Sequence, residues 1–233
     1  MNPLQQAEHG ACCGPAHGPG IPCWKRVLDV TCILLAAPAW IPLGCLIALA
    51  IKVASPGPIF FRQARVGYLG RIFQCFKFRT MVVDADTRVH QGHTTRLLSS
   101  NSPMTKLDAA DPRLIPFGLM LRTLGLDELP QIINVLRGEM SLVGPRPCVP
   151  YEYEQYLPRH RRRCDTLPGL TGLWQISGKN RTTFEEMIDF DLQYAERKSL
   201  LMDLKILVLT LPAILVQVFD LSRTKAGSTN PAR

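Results

Sequence analysis

Apolar and polar positions along this chain follow three rhythms. From Val30 to Ile51 there are 22 residues without a formal charge, about the length needed to cross the hydrocarbon core of a bilayer. Pro38 and Pro42 interrupt that run four residues apart. Each removes a backbone donor and crowds the preceding turn. Further on, Ile59-Phe60-Phe61 and Phe76-Lys77-Phe78-Arg79 read as strands, with Gly67 and Gly70 in a turn region between them. In the second of these, aromatics and bases alternate with period two, which places Lys77 and Arg79 on one face. A third rhythm follows: Leu129, Ile132, Ile133 and Leu136 are spaced i, i+3, i+4, i+7, the stripe of an amphipathic helix. Asp127 is placed to cap that helix, Pro130 is tolerated in its first turn, and Gly138 is a natural stop.

The flanking regions lack such patterning. Residues 1–23 are rich in Gly and Pro and predict a disordered tail; residues 220–233 predict a flexible one. Residues 84–113 are polar and read as a loop, in which Asp84, Asp86, Asp108 and Asp111 are taken as solvated carboxylates. Ile206 to Val216 is an eleven-residue apolar stretch, too short to span and suited to the core or to a membrane interface. Arg159 to Arg163 is a basic run suited to a solvated or lipid-facing helix end.

The charge distribution changes the reading of the apolar run. Of the 233 residues, those from 25 to 79 hold eight bases against Asp29 alone, nearly all of the chain's net +8. Lys25 and Arg26 precede the run, and Lys52, Arg62 and Arg65 follow it. A spanning helix should carry its positive excess mainly on the cytoplasmic side. Bases at both ends favour a helix that enters one leaflet, breaks at the prolines and returns, over a proline-kinked single span. A nucleic-acid partner is not indicated: the chain after residue 79 is close to neutral and shows no basic groove with interleaved aromatics. Eight cysteines without a CxxC, two of them inside the apolar run, do not form a disulfide framework.

Two segments carry candidate chemistry. Asp127 and Glu128 lie at a predicted helix start, where a carboxylate is either a plain cap or part of an anion and phosphoryl site. In Gly144-Pro145-Arg146-Pro147, two prolines fix the backbone on both sides of an arginine, and a rigidly presented guanidinium suits phosphate.

Six motifs in order give the chain a family likeness: Lys25-Arg-Val-Leu-Asp29, Ser55-Pro-Gly-Pro58, Lys77-Phe-Arg-Thr-Met81, Leu126-Asp-Glu-Leu-Pro-Gln131, Met140-Ser-Leu-Val-Gly-Pro-Arg-Pro147 and Pro168-Gly-Leu-Thr-Gly172. From about Lys25 to about Leu211 the sequence resembles the monotopic polyprenyl-phosphate phosphoglycosyl transferases of the bacterial sugar transferase family, in their small, core-only form. The resemblance implies an enzyme that moves a sugar 1-phosphate from a UDP-sugar to polyprenyl phosphate and releases UMP, as the first membrane step of polysaccharide or glycoconjugate assembly. By that match Asp127 is the nucleophile, forming an aspartyl-phosphosugar, and Glu128 helps to hold Mg²⁺. Lys77, Arg79, Arg122 and Arg146 are matched to substrate contacts. The family's Ser-Pro break falls on Ile41-Pro42, and Leu167 stands where a base often precedes Pro-Gly.

The expectation is therefore an α+β, mainly helical protein. A re-entrant membrane helix–break–helix (24–54) is followed by a catalytic core (55–219) with a small β-hairpin and interfacial helices. It would sit on the cytoplasmic face of the bacterial inner membrane, against the lipids of that leaflet, and leaves room for a homodimer. The rival reading is a non-catalytic membrane-anchored scaffold of a polysaccharide assembly complex, which would need the basic hairpin but neither the carboxylate pair nor Mg²⁺.

Overall fold

The computed structural model describes residues 20–83, 92, 102–103, 111 and 113–227, with side chains up to residue 216 apart from that of Asn180. The predicted tail over 1–19, Asp84, Asp86 and Asp108 of the predicted loop, and residues 228–233 lie outside the described residues.

The apolar run forms one helix, α1 (Cys23–Ala54), with Pro38 and Pro42 inside it. Proline at 38 leaves the Leu34 carbonyl without its helical donor. One residue earlier, the Ile33 carbonyl accepts from the Trp40 indole, Nε1 to O 3.0 Å, so a side chain supplies a donor beside the interruption. By length and composition α1 is apolar enough to cross a membrane. Yet both of its ends pack on the body of the protein. Near its start Ile33 joins Cys75, Ile132, Val135 and Met140; near its end Ile47 and Ile51 join Phe78, Ile115 and Leu121. Leu129 is packed against both groups.

Strands β1 (Phe60–Val66) and β2 (Ile72–Phe78) form the expected antiparallel hairpin, in register from Phe60 opposite Phe78 to Val66 opposite Ile72. After α2 (Gly118–Leu124), a 3₁₀ segment Leu126–Gln131 leads into α3 (Ile132–Leu136). This corrects the single helix read from the apolar stripe. Gly125, in the left-handed region at φ 70°, is the capping position, and Asp127 lies in the first turn. A 3₁₀ turn takes three residues and not 3.6, which shifts the phase of the stripe. Ile132 and Val135 are buried, while Ile133 and Leu136 are exposed. Gly138 ends the helix as expected, at φ 78°.

Strand β3 (Ser141–Val143) pairs in parallel with β4 (Gly169–Thr171). The sequence had Pro168–Gly172 as a rigid turn; it becomes a strand because its partner lies 28 residues upstream (Ser141 against Gly169). The two backbones approach so closely that a Cβ on Gly144 would stand 2.2 Å from the Leu167 carbonyl oxygen, and one on Gly169 would stand 2.1 Å from the Gly144 nitrogen. Only glycine fits either place. Between them come α4 (Pro150–Glu154) and α5 (Pro158–Arg161), and after them α6 (Leu173–Ile176), α7 (Phe184–Arg197) and α8 (Leu200–Gly227). Helix α8 thus continues past residue 220, where the flexible tail was expected. α7 begins at a capping box, with the Thr183 side chain accepting from the Glu186 N–H and Glu186 accepting from the Thr183 N–H.

The first bases of the chain do not flank the apolar run as free charges. Lys25, 1% exposed, donates from Nζ to the Val143 carbonyl (2.8 Å), the Tyr194 hydroxyl (2.8 Å) and Asp203 Oδ2 (2.6 Å). Arg26 donates to the carbonyls of Val135 and Leu136 at the end of α3. Asp29 accepts from the Ser141 hydroxyl and the Leu142 N–H. Lys25-Arg-Val-Leu-Asp29 is therefore the clasp that seats α1 on α3, β3 and α8. The basic run at 159–163 is likewise engaged. Arg159 pairs with Glu185 and Asp189, Arg162 with Glu196, and buried Arg163 with Asp191 at 2.5 Å.

Much of the remaining surface is apolar along two helices. Leu34, Leu35, Leu46, Leu49 and Val53 on α1, and Leu201, Val208, Leu211, Leu215 and Val216 on α8, are all more than half exposed. On α8 the opposite side is buried, with Asp203 and Ile206 at 0% and 1%.

Candidate active site

Asp127 and Glu128 are carried by the 3₁₀ segment that faces β2. Asn134 fixes that approach. Completely buried, its Oδ1 accepts from the Phe76 N–H (3.0 Å) and its Nδ2 donates to the Gln74 carbonyl (2.7 Å) and to Glu139 (2.7 Å). One amide thus replaces a strand neighbour along the edge of β2, and it sets the next residue, Lys77, against the carboxylates. Lys77 Nζ lies 2.7 Å from Glu128 Oε1 and 3.9 Å from Asp127 Oδ2. Arg146 Nη1 stands 3.8 Å from the same Glu128 oxygen.

The presentation of Arg146 rests on more than its two prolines. Buried Arg65 donates to the Pro147 carbonyl at 2.8 Å, and Arg163 donates to the carbonyl of Arg146 itself at 3.0 Å. Two buried arginines thus hold the main chain on either side of the Arg146–Pro147 peptide, and the β3–β4 crossing holds it from behind through the Gly169 N–H to the Pro145 carbonyl (2.8 Å). A guanidinium on so constrained a backbone loses little freedom when it binds an oxyanion.

Electrostatically the pair is asymmetric. Burial pushes the Glu128 carboxyl up, but the charges of Lys77, Arg146 and Lys179 outweigh it and hold the group well below the usual carboxylate range. Glu128 is thus an anion with three cations around it. Asp127, 8% exposed, has the Lys77 ammonium 3.9 Å from its Oδ2. An ionised Glu128 stabilises the fold; the gain is present above the unfolded-state value of 4.5 and is lost as pH falls through the depressed folded-state value. Glu128→Gln is therefore expected to melt below wild type at pH 7, with the gap closing as pH drops below 4.5. A gap that stays constant with pH would instead assign the residue a packing role.

A narrow cleft open to solvent runs from this cluster. Glu128, Lys77, Arg146 and Lys179 form its charged end. Pro147, Leu170 and Cys75 supply apolar walls, with the amides of Gln131 and Gln175 among them. A cleft with a cationic pole, a fixed guanidinium and one carboxylate, with Asp127 next to it in the chain, is suited to a phosphate ester or diphosphate.

Of the expected site residues the structure brings together Asp127, Glu128, Lys77 and Arg146. It does not bring Arg79 to them. That guanidinium is 5% exposed and donates to the carbonyls of Pro56 (2.7 Å) and Ser55 (2.8 Å), closing the turn after α1. β2 ends at Phe78, so the alternation that was to put Arg79 beside Lys77 stops one residue short. Arg122 lies in the last turn of α2, where its charge is felt by Asp111. Asp111 itself is paired with Arg113 at 2.6 Å. Lys179, Gln131 and Gln175 are not singled out by the sequence, and Arg65 figures there only as a base flanking the apolar run. Lys179 follows Gly178 in a turn where both have positive φ, 29° and 113°; Ser177-Gly178 signals such a turn, but not which neighbouring base it delivers.

Such a constellation suits a phosphate-handling site, and comparison with known proteins specifies its class. The family model described as bacterial sugar transferase matches residues 21–217. The exopolysaccharide production protein ExoY of Sinorhizobium fredii is 41% identical over 191 residues, which cover 82% of this chain and 84% of that protein. A UDP-glucose:undecaprenyl-phosphate glucose-1-phosphate transferase of Caulobacter vibrioides is 39% identical, over 87% of this chain and 73% of its own length. An undecaprenyl-phosphate galactose phosphotransferase of Salmonella typhimurium is 36% identical over 82% of this chain and 40% of its own. The chain belongs to the bacterial sugar transferase family. It is an enzyme of the phosphoglycosyl transferase class.

Proposed function

We propose that the protein transfers a sugar 1-phosphate from a UDP-sugar to polyprenyl (undecaprenyl) phosphate through a covalent intermediate on Asp127, as the first membrane step in building a bacterial polysaccharide or glycoconjugate. The observation that carries this reading is the placement of Asp127 beside a Glu128 already neutralised by Lys77 and Arg146. In the first half-reaction an Asp127 oxygen attacks the sugar-bearing phosphorus. The bond from that phosphorus to the bridging oxygen breaks, and its electron pair leaves on UMP. In the second, an oxygen of polyprenyl phosphate attacks the same phosphorus, the acyl-phosphate bond breaks, and the Asp127 carboxylate is restored. A carboxylate nucleophile divides one transfer between a soluble and a lipid substrate into two. Lys77 and Arg146 stand where charge accumulates on the departing phosphate, and their fixed positions need no reorganisation.

The reading includes Mg²⁺, for which Glu128 offers the oxygen left over by the Lys77 and Arg146 contacts to its Oε1. Among the described residues the carboxylates come as a pair and not as a cluster of three, and Mg²⁺ is commonly held by one or two carboxylates with substrate phosphates and water completing the shell. Glu128 would hold it, and the ion would supply neutralisation of the diphosphate.

The membrane reading is re-entrant. Straight, a helix of 32 residues is ~48 Å long and as a span would carry one end away from the body across the bilayer. Here Lys25 is bonded to Val143 and Asp203, and at the other end Ile51 is fully buried. That supports both ends of α1 lying on one side of the membrane, with the exposed apolar faces of α1 and α8 in the cytoplasmic leaflet of the inner membrane. The carboxylate pair would then lie near the headgroups, where polyprenyl phosphate presents its charge.

The test is UMP release by purified protein with undecaprenyl phosphate, Mg²⁺ and a panel of UDP-sugars. The expected result is acceptor-dependent UMP from at least one sugar; no UMP from any, with a folded protein, would refute the reading.

A further inference from the structure

Three arginines gather at one end of α3 with no carboxylate paired to them. Arg137 closes that helix, and Arg26 donates to the carbonyls of its last residues, Val135 and Leu136. Arg62 comes from β1, directly opposite Phe76 on β2. The exposed Arg62 and Arg137 guanidiniums both lie against the Phe76 ring, their central carbons 5.3 and 5.0 Å from its centroid. Arg159 and Arg162 on the same surface have carboxylate partners. Among the described residues Arg26, Arg62 and Arg137 have none. Glu139, the acid nearest to Arg137 in the chain, accepts from the Asn134 amide instead. Like charges drawn to one ring repel each other, and each stack contributes little at an exposed site. The missing member is an anion.

The surroundings of the cations decide which anion. Val27 beside Arg26, and Ile133 and Leu136 beside Arg137, are exposed; so is Phe60, which shares a face of β1 with Arg62. Bases set among exposed apolar and aromatic side chains suit headgroup depth, where guanidiniums meet phosphate and the apolar groups meet acyl chains. The patch is separate from the catalytic cleft. Phe76 and Lys77 are consecutive on β2 and point to opposite faces, and none of the three arginines lines the cleft. We infer that Arg26, Arg62 and Arg137 form a docking site for the phosphate of an anionic bilayer phospholipid, an inference that rests on the membrane reading proposed above. A phosphate there supplies the counter-charge and ties the hairpin, with Lys77 on its other face, to the leaflet.

Native mass spectrometry of the full chain in detergent, titrated with phosphatidylglycerol or phosphatidylcholine, tests this. Arg62→Gln with Arg137→Gln should lose roughly thirtyfold in affinity for phosphatidylglycerol, about fivefold for each arginine. It should bind phosphatidylcholine as wild type does and melt within a few degrees of it, since both side chains are exposed. Arg62→Lys with Arg137→Lys keeps the charges and should retain most of the affinity. In phosphatidylcholine nanodiscs the glutamine pair should leave the KM for undecaprenyl phosphate unchanged. Phosphatidylglycerol affinity that survives the glutamine pair, or an equal loss for both lipids, would overturn the inference. So would a rise in the acceptor KM as large as the loss of lipid affinity, which would reassign the arginines to polyprenyl phosphate. Displacement of the lipid by equimolar glycerol 3-phosphate would overturn it too, by making the patch a site for free phosphate. If wild type retains neither lipid and does not enter nanodiscs, it is the membrane reading that fails, and the inference with it.

Discussion

Asp127→Asn is expected to reduce turnover by roughly 10⁴-fold or more, the scale seen when a nucleophile is removed from a site that is otherwise intact. Asparagine has the shape of the carboxylate but no anionic oxygen to attack phosphorus. The fold should tolerate the change. Lys77 makes its shorter contact, 2.7 Å, to Glu128 and only a 3.9 Å approach to Asp127, so its charge keeps a partner. UMP release measured beside a thermal melt separates the two effects: activity lost, melting temperature nearly unchanged. Activity within tenfold of wild type would remove Asp127 from the nucleophile's role and leave the cluster as a binding site alone.

Lys25→Met carries the largest expected cost in stability, about 3–5 kcal/mol, the range for removing one partner of a buried ion pair. Asp203 is fully buried and its Oδ2 receives Lys25 at 2.6 Å, while Oδ1 accepts from the Tyr194 hydroxyl at 2.8 Å. Without the ammonium, Asp203 keeps a neutral donor and loses its counter-charge. The Val143 carbonyl, just ahead of Gly144 and the Arg146 turn, also loses a donor. Replacing both partners, Lys25→Met with Asp203→Leu, should recover most of the loss, since two apolar groups leave no unpaired charge. Denaturant titration of the three variants in one detergent decides it. A single-variant loss below about 1 kcal/mol would place Lys25 at a solvated or lipid-facing position, where pairs contribute little.

That lysine shows where sequence reasoning ran out. A base next to a 22-residue uncharged run looks like a leaflet anchor, because local sequence shows only its neighbours in the chain; its partner is 178 positions away. Asn134 was overlooked for the same reason. In α3 it is one more polar residue, and its role comes from Gln74 and Phe76, about sixty positions upstream. What could be read was chemistry held in short runs with their own backbone constraints. Asp127 and Glu128 are adjacent, Arg146 is fixed between two prolines, and Lys77 sits on a strand whose period is visible. Those four do meet. The extension to Arg79 assumed that the strand continued, and it ends at Phe78. The apolar stripe through Leu136 assumed one helical period where the chain changes from three residues per turn to 3.6 at Ile132.

The exposed apolar faces give the site its setting. Under the proposed reaction, a carboxylate that meets a soluble nucleotide and then a lipid phosphate would lie at the boundary between the two phases. The clasp of Lys25, Arg26 and Asp29 on β3, α3 and α8 joins the apolar helix rigidly to the strand that leads into Arg146. In the proposed membrane reading, the same contacts would set both the depth of the helix and the geometry of the site.

The central claim is the covalent intermediate, and intact-protein mass spectrometry tests it most directly. Protein is incubated with Mg²⁺ and its UDP-sugar in the absence of polyprenyl phosphate, quenched and weighed. The account predicts a mass gain equal to one sugar phosphate, mapped to the peptide containing Asp127, absent in Asp127→Asn and discharged on adding undecaprenyl phosphate. Catalytic turnover with no such adduct in the quenched enzyme, or an adduct on another residue that persists in Asp127→Asn, would contradict it.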